Sequence, residues 1–387
     1  MARLFTAPAL DLDDQRVVED VHALRAEMAS SLRAPRRWTG GLRRTTQARA
    51  IQGSNSIEGY SVTDQDALAA VEDEAPLTAD QRTWAEIVGY RRVLTYVLGM
   101  ATSRGFRLDA MTLRSMHFML LEHDLSKAPG QYRTGPVFVH DDARGRTVYE
   151  GPDHDEVSGL VDALVTSMDD ERDLDPLVRA AMAHLNLVMI HPFRDGNGRM
   201  ARALQTLVLA LDEVLEPTFS SIEEWLGSNT ADYYLVLAAT GRGAWHPDND
   251  AHLWPKFNLR AHHMQAQTLR RRFQEADVLW RRLDELAGEH RLPERVSDAL
   301  FDAARGLRVQ RATYVRRLGL EERTATRDLS RLVDTGLLRA VGQTRGRYYL
   351  AGDALSALYR QLRSARPPVE DPYPTLMAEV RAVVPTS

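Results

Sequence analysis

The chain has 387 residues, enough for two or three domains of ordinary size. With 44% hydrophobic and 27% charged residues it has the composition of a globular protein, and the absence of cysteine excludes disulfides, thiolate metal sites and a cysteine nucleophile. The net charge of −5 argues against a protein built mainly to coat nucleic acid, and no apolar run approaches the roughly 20 residues of a membrane-spanning helix. We therefore expect a cytoplasmic protein with no membrane partner.

The first region, residues 1–107, is predicted to be helical. Apolar residues at helical spacing give one face to a helix around residues 17–24 and another to a helix around residues 87–97. Between them lies Ser54-Asn-Ser-Ile-Glu58-Gly59, in which a glutamate follows a serine by four positions and precedes a glycine. By itself this pattern indicates the C-terminal end of a helix, with Gly59 as its cap.

The second region, residues 108–287, is also predicted to be mainly helical. Two short β-prone runs within residues 135–149 flank a polar turn that contains glycine, which predicts a hairpin. Asp175 followed by Pro176 is a typical helix start. Apolar spacing then continues on both sides of a loop that begins at about residue 190, so the sequence predicts a helix–loop–helix there.

This loop carries residue types suited to a phosphate ligand. Gly196-Asn197-Gly198 opens the second helix, where glycines allow close backbone approach and unpaired N–H groups attract an anion. Arg199 and Arg202 are three positions apart and therefore lie on one side of the first turn, where their forked guanidinium groups could grip successive phosphates. Asp195 offers a hard oxygen ligand for Mg²⁺, and His191 titrates near neutrality, as a general base should.

Each of these residue types also has a common structural interpretation. A lone histidine beside an apolar helix is usually structural, Gly-Asn-Gly is usually a turn, and two arginines at helical spacing usually form a solvated face. Their combination in one short loop favours nucleotide chemistry. Neither a P-loop sequence nor the protein kinase motif set occurs in the chain, which argues against ATP hydrolysis at the γ-phosphate and against a kinase.

The segment from His191 to Arg202 resembles the Fic signature, His-x-Phe-x-Asp/Glu-Gly-Asn-Gly-Arg-x-x-Arg, at every defined position. The resemblance implies a mainly α fold, with a Fic-type helical core and a small β-hairpin flap. It further implies an enzyme that moves AMP from ATP, with Mg²⁺, to a Ser, Thr or Tyr hydroxyl of a target protein.

The resemblance also implies a role for each residue of the loop. These roles are general base for His191, metal ligand for Asp195, anion nest for Gly196, Asn197 and Gly198, inner-phosphate ligand for Arg199 and γ-phosphate ligand for Arg202. The hairpin at 135–149 resembles the family's flap, which aligns a segment of the target by strand addition. A looser similarity at Asn229 and Tyr234 implies contact with adenine, although a packed tyrosine pair on a core helix is an equally good interpretation of Tyr233-Tyr234.

The earlier motif resembles the inhibitory motif of the same family at its three defined positions, Ser54, Glu58 and Gly59. This resemblance implies that the Glu58 carboxylate pairs with Arg202 and occupies the donor that the γ-phosphate needs. Proteins with this arrangement are often dimers, so a homodimer is a further expectation. Two alternatives stay open: a Fic enzyme that removes AMP from a modified protein, with Glu58 orienting water, and a DNA-binding regulator whose Fic domain only senses nucleotide.

The third region, residues 295–352, is basic, with twelve arginines against six acidic residues between positions 295 and 350. Two short helical segments followed by a hairpin with a basic tip predict a winged helix-turn-helix. In a DNA-binding role, the residues that face the duplex would be Arg323, Thr324, Thr326, Arg327, Arg345 and Arg347. Winged helices also dock proteins, so the expected partner is duplex DNA or a protein.

Overall fold

The computed structural model describes residues 3–33, 36–103, 105–141, 146–211, 215–343 and 347–384, and these residues are mainly helical. The helices in chain order are α1 (Leu12–Arg33), α2 (Thr39–Ile57), α3 (Asp64–Val71), α4 (Gln81–Ala101), α5 (Ala110–Leu121), α6 (Val157–Asp170), α7 (Pro176–Ile190), α8 (Asn197–Ala210), α9 (Pro217–Ser220), α10 (Glu223–Ser228), α11 (Thr230–Gly241), α12 (Leu253–Glu289), α13 (Val296–Ala304), α14 (Arg311–Leu318), α15 (Glu322–Asp334), α16 (Asp353–Ser364) and α17 (Leu376–Val383). The strands are β1 (Phe138–Asp141), β2 (Arg146–Glu150), β3 (Val309–Gln310), β4 (Leu338–Val341) and β5 (Tyr348–Ala351). Among the described helices, none has an apolar stretch long enough to cross a bilayer.

The helical faces predicted for the first region are confirmed. Val17, Val18 and Val21 are buried on α1, and Ile87 and Val93 are buried on α4. Both faces join one hydrophobic core that also contains α5 to α8, α11 and the first half of α12. The second half of α12 belongs to another core, so this single helix joins the two parts of the molecule.

The predicted hairpin is confirmed as the antiparallel pair β1–β2, with Phe138 opposite Glu150 and Val139 opposite Tyr149. Residues 142–145, at its turn, lie outside the described residues. The Tyr149 hydroxyl donates to the Met189 carbonyl at 2.8 Å, and the Glu150 amide donates to the Gly243 carbonyl at 2.9 Å. The base of the hairpin is therefore tied to the end of α7 and to the segment after α11.

The C-terminal part contributes α13 to α16 and a three-stranded antiparallel sheet, in the order β3-β5-β4, to the second core, which also contains residues of α1, α2, α9 and the second half of α12. Leu329 and Leu332 of α15 and Leu355 of α16 are fully buried in it. Arg345, one of the predicted DNA contacts, lies outside the described residues. The chain beyond residue 352 was not assigned from the sequence: α16 completes this core, and α17 returns to pack on α11 and α12.

This C-terminal unit packs on the helix that carries the Ser54–Gly59 motif. Gly41 of α2 faces the Phe301 ring, where an added Cβ would lie 3.0 Å from the ring. The Glu72 carboxylate, just after α3, accepts from Arg44 Nε of α2 at 2.7 Å and also pairs with Arg317 of α14. Arg305 donates to the Thr45 hydroxyl of α2 at 2.9 Å. The position of α2 therefore depends on both halves of the molecule.

Candidate active site

The loop between α7 and α8 turns through two left-handed residues. His191, directly after α7, has φ of 50°, and Gly196, directly before α8, has φ of 76°. The Asn197 amide closes the loop, because it accepts from the Phe193 N–H and donates to the Phe193 carbonyl, both at 2.9 Å. The Asn197 side chain thus shapes the loop, and only its backbone is left for an anion. Phe193 is fully buried and fixes the loop to the core.

The geometry of His191 suits a general base. Its Nδ1 lies 3.1 Å from the Val188 carbonyl, so Nδ1 carries the proton and donates, which leaves the Nε2 lone pair available. Burial lowers the pKa of the imidazole, so the ring is neutral at pH 7. The His191 carbonyl accepts from Arg133 Nε at 2.9 Å, and the same guanidinium donates to Gly135 at the start of the hairpin. Arg133 therefore couples the orientation of His191 to the hairpin.

Both arginines of the loop are buried, each about 1% exposed, and each meets a carboxylate. Arg199 pairs with Glu86 of α4. Arg202 donates to Glu58 Oε1 at 2.6 Å and to the Ser54 hydroxyl at 2.8 Å. Within the described part of the chain, Arg199 Nε and Arg202 Nη1 are buried without a hydrogen-bond partner. Buried donors normally have partners, and phosphate oxygens of a bound nucleotide would supply them.

The Glu58 carboxylate lies against the first turn of α8. Glu58 directly follows the last residue of α2, and Gly59 has φ of 84°, so the predicted helix end with a glycine cap is confirmed. A Cβ added to Gly198 would overlap a Glu58 carboxylate oxygen, which puts this carboxylate at the helix N-terminus, where an anion would bind. Burial alone would lower the pKa of Arg202, but the Glu58 charge and hydrogen bond, with Tyr233 and Tyr90, together outweigh burial and raise that pKa.

The helix that carries Glu58 is held closely against α10. A Cβ added to Gly53 would overlap the backbone carbonyl of Glu223, and one added to Gly227 would lie 2.6 Å from the Gly53 Cα. Beneath this contact, the Tyr90 hydroxyl donates to the buried Glu223 carboxylate at 2.6 Å. The absence of side chains at Gly53 and Gly227 therefore lets α2 pack close enough to α10 for the Glu58 carboxylate to contact Arg202.

Asp195 fits the role of a magnesium ligand. Its Oδ1 accepts from the Gly196 N–H at 2.6 Å, while Oδ2 contacts the Lys127 ammonium. Burial alone would raise the pKa of Asp195, but Lys127, Arg199 and the Gly196 N–H together outweigh burial and lower that pKa, so the carboxylate is ionised at neutral pH. The side chain is 37% exposed, so solvent and a hydrated metal can reach it. One ionised carboxylate beside a phosphate site is a common way of holding Mg²⁺.

Three residues that the sequence did not reveal complete the site: Glu86, Lys127 and His117. The ring of His117 stacks on Phe193 at 3.8 Å between centroids, its Nε2 donates to the Asp195 carbonyl at 3.0 Å, and its Nδ1 accepts from the Gly130 N–H at 2.8 Å. Burial lowers the pKa of His117 to about 4, which keeps it neutral in this structural role. The one sequence signal was at Lys127, since the chain contains only two lysines among its 49 Lys and Arg residues.

Of the two loosely predicted adenine contacts, Tyr234 lies beside the inhibitory motif and Asn229 stabilises a helix junction. The Tyr234 hydroxyl donates to the Ile57 carbonyl at 3.1 Å, and this side chain is 47% exposed. The Asn229 amide donates to the Trp225 carbonyl at 2.8 Å, between α10 and α11. Tyr233 is buried, with its hydroxyl 3.0 Å from His184 Nε2, as expected for a packed core tyrosine.

Residues 107–209 match the model of the Fic/DOC family, so the loop, the hairpin and α5 to α8 all lie within this domain. The protein adenylyltransferase fic-1 of Caenorhabditis elegans is 27% identical over 254 residues, which are 63% of this chain and 46% of that protein. The protein adenylyltransferase Fic of Nematostella vectensis is 31% identical over 162 residues, 41% of this chain and 36% of that protein. The chain thus spans less than half the length of the curated relatives that it matches.

Two solved structures share the fold. A Fic family protein from Desulfovibrio desulfuricans aligns with a TM-score of 0.57 and 22% identity, over 90% of this chain and 98% of that one. A Fic domain signalling protein from Bacteroides thetaiotaomicron aligns with a TM-score of 0.51 and 22% identity, over 68% of this chain and 95% of that one. At these identities the likeness establishes the helical architecture.

Proposed function

We propose that this chain, which carries a Fic/DOC family domain at residues 107–209, is a protein adenylyltransferase. It transfers AMP from ATP to a hydroxyl group of a protein. The observation that carries the proposal is that one short segment combines two features. His191 is neutral with its Nε2 available, and the N-terminus of α8 carries two buried arginines that each have a donor without a partner among the described residues. The curated relatives, which are named protein adenylyltransferases, support the same activity.

In the proposed reaction, the hydroxyl oxygen of the target attacks the α-phosphorus of ATP. His191 Nε2 takes the hydroxyl proton, the bond from the α-phosphorus to the bridging oxygen breaks, and pyrophosphate leaves. The backbone of Gly196, Asn197 and Gly198 and the two arginines bind the phosphates and orient the leaving group. Mg²⁺ held by Asp195 would neutralise the charge that develops on pyrophosphate.

We further propose that the enzyme is autoinhibited. A γ-phosphate that takes its place on Arg202 must displace the Glu58 carboxylate, because both are anions that compete for one guanidinium and one helix N-terminus. Until Glu58 leaves, ATP binds with its phosphates away from in-line geometry. The same carboxylate could orient a water molecule, so removal of AMP from a modified protein is the alternative reaction at this site.

The target protein is proposed to dock on the hairpin, and the C-terminal unit to bind a second macromolecule. The order of helices and strands from α13 to β5 supports the winged helix-turn-helix assignment. Arg323 and Arg327 are exposed on α15, while the opposite face of that helix is buried, which favours duplex DNA over an apolar protein surface as the ligand. A homodimer and a cytoplasmic location remain predictions.

The position of the label distinguishes AMP transfer from other uses of ATP. The wild type and Glu58→Gly would each be incubated with Mg²⁺ and with ATP labelled on either the α- or the γ-phosphate. Transfer of AMP leaves the α-label on protein and releases the γ-label with pyrophosphate. Protein labelled from γ-labelled ATP would instead identify a kinase. Release of free phosphate without labelled protein would identify an ATPase.

A further inference from the structure

Lys127 holds the proposed metal ligand in this structure. Its ammonium contacts Asp195 Oδ2 and lies 3.6 Å from Glu86 Oε1, so it bridges the metal-ligand carboxylate and the partner of Arg199. The side chain is 18% exposed and comes from the short 3₁₀ turn Leu125–Lys127 that follows α5.

The choice of lysine is unusual for this chain, since 49 cationic side chains include only two lysines, Lys127 and Lys256. Arginine is planar and forms forked pairs that are costly to rearrange, whereas lysine is a compact charge on a flexible stem. A position that must release its carboxylate therefore favours lysine.

The contacts of Asp195 place Lys127 where a metal ion would bind. Oδ1 already accepts from the Gly196 N–H, and Oδ2 is covered by the ammonium. A divalent cation that binds Oδ2 would be repelled by the ammonium there, so we expect it to displace Lys127. Glu86, the second carboxylate beside the ammonium, could keep it paired after displacement.

We propose that Lys127 is a positioning residue that occupies the cation position of the active site until a divalent metal replaces it. It holds the Asp195 carboxylate in place and weakens binding of the metal in the absence of nucleotide. The proposal deepens the proposed function through the metal-ligand role of Asp195. Because it concerns metal binding alone, it can be tested in a protein that transfers no AMP.

Lys256 provides a matched control. Its ammonium also bridges two carboxylates, at 3.3 Å from Asp11 and 3.6 Å from Asp14, and it is 15% exposed. It stacks on the ring of Tyr373, on the surface formed by α1 and α12, rather than beside the 191–202 loop. Loss of a bridging lysine can therefore be compared at two places in one protein.

The test is a titration of the full chain with Mn²⁺ alone, followed by electron paramagnetic resonance, with no nucleotide present. The ammonium occupies Asp195 Oδ2 and repels a second cation, so Lys127→Met should bind Mn²⁺ about tenfold more tightly than the wild type. Lys256→Met should leave the affinity of the Asp195-dependent site at its wild-type value, and Asp195→Asn should lose that site. Equal or weaker binding by Lys127→Met, or undiminished binding by Asp195→Asn, would overturn the proposal.

A second measurement needs no substitution at the site. In protein labelled with ¹³C and ¹⁵N only in lysine, two side-chain ammonium groups are observed, and Lys256→Met assigns them. Addition of Mg²⁺ should move the Lys127 signal and leave the Lys256 signal in place. If Mn²⁺ binds while the Lys127 signal stays unmoved by Mg²⁺, the ammonium is not displaced and the proposal is wrong, whether or not the protein transfers AMP.

Discussion

Glu58 Oε1 lies 2.6 Å from Arg202 Nη2, and the Arg202 guanidinium also donates to the hydroxyl and carbonyl of Ser54, at 2.8 and 3.0 Å. Ser54 lies in the last turn of α2 and Glu58 directly follows that helix, so a spacing of four places both side chains on one face. The two charged or polar members of the motif thus engage a single guanidinium. Arg202 Nη1 is the nitrogen that they leave without a partner.

Replacement of His191 should separate nucleotide binding from chemistry. In a Glu58→Gly background, His191→Ala should lower AMP transfer by about 10²–10⁴-fold, because the target hydroxyl loses its general base. ATP binding, measured by calorimetry, should change little, since the imidazole contacts the Val188 carbonyl rather than an arginine of the loop. His154→Ala, which removes a partly exposed histidine outside the loop, is the matched control. Parent-level labelling by the His191 variant would refute the assignment of the base.

The pH dependence of transfer follows from the burial of His191. Burial lowers its pKa below the ordinary value of 6.5, and catalysis needs the neutral imidazole, so activity is retained down to pH 6.5 and lost as pH falls through the lowered pKa. Glu58 acts in the opposite direction and raises this pKa, so Glu58→Gly should move the acid limb further down. The pH at the midpoint of the acid limb is measured from the profile of kcat/KM against pH for that variant. An acid limb centred above pH 6.5 would contradict this account.

The sequence predicted the parts of the site that lie close together in the chain. His191 to Arg202 form one continuous segment, a loop followed by the first turns of α8, and its glycines, its cap and the spacing of its arginines are local properties. The pairing of Glu58 with Arg202 spans 144 residues, and it was inferred through the family resemblance and not from spacing. The contact of Glu86 with Arg199 spans 113 residues and has no motif, so only the fold could reveal it.

The helical faces and the hairpin were predictable for a similar reason, since periodicity and turn residues are local. The long α12, which serves both cores, and the return of α17 to α11 depend on tertiary packing. The packing of α13 and α14 on α2 and α3 is likewise a contact between distant segments. Through this packing, the C-terminal unit stabilises the position of α2, the helix that Glu58 directly follows.

Substitution of Gly53 tests whether the packing of α2 against α10 holds Glu58 in place. The added methyl group of Gly53→Ala would overlap the Glu223 backbone, which cannot move as a flexible side chain would, so α2 must shift away from α10. We expect a cost of about 1–3 kcal/mol in the free energy of unfolding, measured by urea denaturation, together with increased self-labelling from α-labelled ATP. Gly40→Ala, in the same helix, is the control, because its Cβ would meet only the flexible end of Arg44, at 3.3 Å. Equal effects of the two substitutions would show that the contact between Gly53 and Glu223 does not hold Glu58 in place.

Binding of duplex DNA by the C-terminal unit should depend on α15 and on salt. Arg323→Ala with Arg327→Ala should weaken binding of the full chain to duplex DNA in fluorescence anisotropy, and should flatten the dependence of affinity on salt concentration. The matched control, Arg360→Ala with Arg363→Ala, removes two exposed arginines of α16. No binding by the wild type at low salt would point to a protein as the ligand of this unit.

The measurement that tests the central claim most directly is self-labelling from α-labelled ATP by wild type, Glu58→Gln and Glu58→Gly. Glu58 follows the last helical residue of α2, so either substitution removes the carboxylate without interrupting the helix. A charged hydrogen bond to a buried group is worth about 1.5–3 kcal/mol, so release of Arg202 should raise labelling by roughly ten- to a hundredfold. The increase should disappear when His191→Ala is added. Labelling that stays at the wild-type rate in both Glu58 variants, while the wild type is active, would contradict inhibition by Glu58.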